Sequence, residues 1–232
     1  MKYTFKISFD IEKDARNWYD ASRTLVFQGH CWRDNLSGGF RDEFDKICKL
    51  NSDEAKVEAG KFVKKLRAEK SSEYRSLEAW IKNDFDEKFD DACKWLEKNT
   101  GHKLFCENYT VYLTTFPRAD EFPETGELFH CIYWINPIEN FLHEVLHWQF
   151  QRYWRADVKS PVLQLPNDEW EILKESLTVV IDDELKPLIR YADKGYPAHQ
   201  DFRKTLYKHW REHHNFDKLI EFGLEKLPEF TK

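Results

Sequence analysis

The residues best able to do chemistry sit in one short run, Asn140-Phe-Leu-His-Glu-Val-Leu-His-Trp-Gln-Phe150. Two histidines stand four residues apart with a glutamate directly after the first, the pattern H-E-x-x-H. On a helix, residues four apart project from one face, so His143 and His147 can both reach one metal ion. Glu144 lies about 100° further round, where its carboxylate can touch a metal-bound water without ligating the metal. That trio suits zinc-dependent hydrolysis: two imidazole ligands and a general base. The competing reading is a pair of hydrogen-bonded core histidines beside an unrelated glutamate. Buried imidazoles need partners on either reading.

The flanking residues supply the helix. Asn136 is a good N-cap, Pro137 suits the first helical position and Glu139 can close a capping box. Phe141, Leu142, Val145, Leu146 and Phe150 surround the polar trio and predict a buried helix over about 137–155. A second stretch, His209-Trp-Arg-Glu-His213, matches the inverted form H-x-x-E-H. It lies in a polar run with too little chain after it to supply a distant ligand, and it reads as a solvated helix face.

Two histidines do not complete a catalytic zinc site, which takes three protein ligands and a water. The extended metzincin pattern needs Gly at 150 and His at 153, where the chain has Phe150 and Tyr153. A glutamate on a later helix remains. The segment from Asn167 to Asp182 carries an apolar stripe of Trp170, Leu173, Leu177, Val180 and Ile181 beside a polar stripe of Glu171, Glu175, Thr178 and Asp182. Any half-exposed helix shows the same two stripes.

On His143-Glu144-Val-Leu-His147 and Leu173-Lys-Glu175-Ser-Leu-Thr, the chain resembles the gluzincin superfamily of zinc metallopeptidases over about residues 127–184. The resemblance implies one Zn2+ per chain held by His143, His147 and Glu175, with Glu144 as general base and a zinc-bound water as nucleophile on a peptide bond. It also implies that residues 127–135 form an edge strand pairing with an extended peptide or protein substrate. The superfamily often has an Asp four residues after the glutamate ligand, where this chain has Val179. Counting from Glu171 instead puts Glu175 at that place, so either glutamate can be the third ligand, with the other supporting it. Tyr191, Tyr196 and His199 follow the ligand helix and could support the transition state; packing roles serve them equally well, and His130 reads as structural. Two other functions stay open: an intracellular regulatory or binding protein with a zincin fold, and a hydrolase of a non-peptide substrate.

The elements needed to position this site are legible from periodicity. The first hundred residues read as a strand over 2–11 and then helices over 14–28, 40–50, 52–70 and 71–98. Strands follow over 104–116 and 127–135, then helices over 137–155, 167–192 and 199–214. The expected fold is α+β: one zincin-like domain over 1–232 with a mostly helical N-terminal lobe (1–100), a small mixed or antiparallel sheet and catalytic helices (101–232). Nine tryptophans and 16% aromatics predict an aromatic core, and a net charge of −6 with only a short basic cluster argues against nucleic-acid binding. Five scattered cysteines without framework spacing, an alternating N-terminal strand instead of a signal peptide, and no long apolar run predict a cytoplasmic protein that does not enter membranes.

Overall fold

A computed structural model describes residues 2–231. Contacts divide the chain into two compact units: residues 1–87 with 106–137, and residues 88–105 with 138–232. These units cut across the expected boundary at 100/101, because the first strand pairs with strands that follow the long helix.

The first unit is built on a four-stranded sheet of order β1-β4-β6-β5, with β1 at Thr4–Ser8, β4 at Asn108–Thr114, β5 at Glu121–Phe122 and β6 at Glu127–Cys131. β1, β4 and β6 run parallel and only β5 is antiparallel, so the sheet is mixed and mainly parallel. β5 lies within the stretch expected to be a plain loop. It also corrects the substrate-edge expectation: β6 pairs with β4 on one side and with β5 on the other, and the Phe129 amide is taken by the Asp120 carbonyl.

Helices α1 (Ile11–Arg23), α2 (Gly38–Lys49) and α3 (Ser52–Glu69) complete this unit with the first part of α4 (Ser71–Thr100), and a two-stranded hairpin of β2 (Val26–Phe27) and β3 (His30–Cys31) lies between α1 and α2. α1 starts where the Asp10 carboxylate accepts from the Glu12 and Lys13 amides, and α3 starts in a capping box of Asn51 and Glu54. The core is aromatic, as composition predicts: Trp18 is fully buried with Phe62 and Phe116 edge-on at 4.8 and 4.9 Å. Asp14 is a fully buried ionisable side chain of this unit. Asp14 accepts from the Thr115 amide at 2.8 Å and its hydroxyl at 2.9 Å, and burial pushes its carboxyl up to about 7.

The second unit is helical. It holds the end of α4, then α5 (Pro137–Phe150), α6 (Asn167–Leu177), α7 (Gln200–His213) and α8 (Phe216–Lys226). α5 begins at the proline that the sequence marks as its first residue, and a π-helical turn at Gln151–Arg155 carries it to the expected end. α6 is much shorter than the predicted 167–192. At Thr178–Val180 the chain tightens into a 3-10 turn, since Thr178, Val179, Val180 and Ile181 form a β-branched run that the α-helix disfavours. The Thr178 hydroxyl also donates to the Glu175 carbonyl at 2.8 Å. Trp170 stacks on Phe150 at 4.7 Å, which sets α6 against α5. A Cβ on Gly223 would lie 2.8 Å from Leu173, so the glycine allows α8 to approach α6 closely.

Candidate metal site

α5 is apolar nearly all round: Ile138, Phe141, Leu142, Val145, Leu146, Trp148 and Phe150 are buried. Glu139, His143, Glu144 and His147 share one face of this interior helix, where each must find a partner, while the buried Gln149 faces away and donates to the Lys103 carbonyl at 3.2 Å. One helical turn separates the His143 and His147 rings, whose centroids lie 4.4 Å apart at 75°. From α6, Glu175 reaches the same point. The distances are 2.9 Å between the two Nε2 atoms, 3.4 Å from His143 Nε2 to Glu175 Oε2 and 3.3 Å from His147 Nε2 to the same oxygen. This is a group of donors that could hold a metal ion.

The triad passes two tests of fit. Donor atoms about 2.0–2.1 Å from a tetrahedral zinc lie about 3.4 Å from one another, close to the spacing found here. Glu175 Oε2 is also buried and accepts no hydrogen bond within the protein, a costly arrangement unless a cation completes it.

Around the donors lies a supporting layer. Asp193 Oδ2 is 3.1 Å from His143 Nδ1. In the neutral ring, a proton held at Nδ1 by this carboxylate leaves the Nε2 lone pair turned to the centre, the arrangement metal-binding histidines commonly use. Asp193 is itself fixed. Its Oδ1 accepts from the Gly195 amide at 2.7 Å, and the buried Arg203 donates to the Asp193 carbonyl at 2.9 Å with its guanidinium 3.6 Å from Oδ2. Arg203 also donates to the Glu175 carbonyl at 2.9 Å and to Thr178 Oγ1 at 2.6 Å. One side chain from α7 thus braces both the glutamate donor and the carboxylate behind His143.

The electrostatics favour a cation. Burial opposes a charged His143, but Asp193 and then Glu175 outweigh it and raise its pKa well above the ordinary value. Burial pushes His147 down to about 4, with Glu175 opposing and His143 assisting. Two imidazoles at 2.9 Å cannot both carry charge, and His143, which faces two carboxylates, is the one where positive charge is favoured. For Glu175, burial is outweighed by the imidazoles and the carboxyl stays ionised. Burial and the Asp193 charge raise Glu139, in the first turn of α5, to about 8.

The remaining sequence candidates fall in different places. Glu144 is buried on α5 and its charge is felt at both His143 and Glu139. Glu171 stands outside the converging group, 2.9 Å from the Lys174 ammonium. His199 is buried near Glu175, whose charge opposes the downward shift that burial imposes on it, and Tyr196 lies edge-on to it at 6.3 Å. Tyr191 is exposed. His209 stacks on Phe222 at 4.2 Å, which accounts for it without a metal.

Sequence reasoning missed Asp193 and Arg203. The available signal was Asp193-Lys-Gly195, where an aspartate accepting the amide two residues on marks a tight turn. Asp193 lies 18 residues after Glu175 in the chain. No family model matches the chain, and comparisons with curated proteins and with solved structures find no match.

Proposed function

We propose that the protein is a zinc-dependent hydrolase of peptide bonds, with His143, His147 and Glu175 holding one Zn2+ and Glu144 as general base. The observation that carries this reading is the convergence of three donor atoms, 2.9, 3.3 and 3.4 Å apart, two from the helix that also presents Glu144 and one from α6. Zinc in such a site supplies a Lewis acid that lowers the pKa of water and polarises a carbonyl. Glu144 takes the proton of the attacking water and passes it to the leaving amine. Asp193 and Arg203 keep His143 and Glu175 aimed while this happens. His199, with Tyr196 beside it, is the candidate donor to the developing oxyanion. The intact Glu144 favours an enzyme over a binding protein with a structural metal, because a structural site needs no base.

Metal analysis tests the reading. About one zinc per chain is expected after purification with zinc present, removable by chelator and lost in His143→Ala and His147→Ala. Metal-free wild type would sink it. Glu144→Gln should keep the metal and abolish peptide hydrolysis; wild-type turnover in that variant would remove Glu144 as the base.

A further inference from the structure

Lys174 precedes the glutamate donor on α6, and only 13% of its side chain is exposed. Its ammonium lies 2.9 Å from Glu171 Oε2 and 3.4 Å from Glu175 Oε1. The two oxygens of Glu175 therefore face different charges: Oε2 faces the histidines and Oε1 faces a cation. A carboxylate can offer a metal one oxygen or both. To offer both, Glu175 would have to turn and draw Oε1 away from Lys174, in a setting where burial leaves the attraction weakly screened. A lysine beside a divalent cation is also a like charge and lowers metal affinity, so its placement calls for a compensating role.

We propose that Lys174 is a positioning residue that restricts Glu175 to single-oxygen ligation, so that the metal keeps a place open for the reacting molecule. The proposal rests on the metal reading above. Glu171 is the outer anchor: it holds the ammonium from the far side, so a chain of charges runs from Glu171 through Lys174 to Glu175. The loss of the lysine then has a distinctive sign. A merely structural residue would weaken metal binding when removed. Removing Lys174 should strengthen it, because a repelling charge disappears and the second carboxylate oxygen becomes free to ligate.

Cobalt(II) titration into metal-free protein tests this, since the visible band of cobalt weakens as its coordination number rises. Wild type and Lys174→Arg, which keeps the cation, should show the intense band of a four-coordinate ion. Lys174→Met should show a weaker band and bind zinc on the order of tenfold more tightly in chelator competition, the scale expected on removing a nearby unit charge at a partly screened site. Lys174→Gln gives the same two readings should methionine prevent folding. A neutral variant with the wild-type band and affinity, or with weaker affinity, overturns the role of Lys174. Equal changes in the arginine and methionine variants overturn it as well, because packing would then matter and charge would not. A wild type that binds no cobalt sinks the metal reading itself, which separates the two failures.

Discussion

Glu175 and Glu171 lie one turn apart on α6 and differ in what they face. Glu175 is buried against two imidazoles, while Glu171 reaches a lysine at the margin. Glu175→Ala should therefore abolish stoichiometric zinc binding in chelator competition, whereas Glu171→Ala should change affinity by less than about tenfold. A larger loss from Glu171→Ala would move the ligand back one turn. Asp193→Asn keeps the size of the side chain but removes the charge that holds the His143 Nδ1 proton. Zinc affinity should fall about 10–100-fold, the usual range for a carboxylate behind a ligating histidine. Unchanged affinity would show that the 3.1 Å contact does not orient the ring. Of these residues, the two histidines could be read from spacing, while Glu175 comes only with the gluzincin resemblance and stays open there against Glu171. Asp193 could not, because its relation to His143 spans 50 residues and depends on a turn whose position no local period announces.

At the scale of elements, α7 is tied to the site by Arg203, and the loop before it accommodates that side chain through Gly195. This glycine has φ +58°, and a Cβ there would lie 2.5 Å from Arg203 Nε. Gly195→Ala meets both the left-handed backbone penalty of roughly 1 kcal/mol and a collision with a guanidinium held by buried acceptors. It should lower the melting temperature and weaken zinc binding together; a variant with wild-type values for both would show that the brace is dispensable. The same region marks the limit of what was legible. α5 was predicted nearly to the residue because its start carries local signals, a cap and a proline. α6 was predicted too long because Leu177, Val180 and Ile181 continue a helical stripe. The backbone leaves that stripe at Thr178, where a hydroxyl and Arg203 take the Glu175 carbonyl. Pattern records burial, and burial continues past the helix end. The mainly parallel sheet was hidden for a related reason: strands were visible locally, but their pairing is set by contacts about a hundred residues apart.

For the whole molecule, stability should depend on pH through Asp14 as well as on metal. In the fold its carboxyl titrates at about 7 against an ordinary value of 3.8, so the native state binds the proton more tightly than the unfolded chain. The corresponding stability is fully present below about pH 4 and is lost as pH rises to about 7, on the order of 4 kcal/mol at most. Asp14→Asn, which retains an acceptor for the Thr115 amide, should melt with a smaller decline between pH 4 and 7 than wild type. Equal declines in the two proteins would assign the pH dependence to other groups. The order of the strands bears on how the protein is made. Thr4 pairs with Asn108, 104 residues later, and residues 88–105 in between belong to the other unit. A ribosome adding about 5–20 residues per second leaves β1 without its partner for roughly 5–20 s. Throughout that interval both edges of β1 are open to pairing with other nascent chains. Yield in a cell should then follow translation speed and chaperone supply over residues 9–107, a stretch that contributes none of the proposed metal ligands.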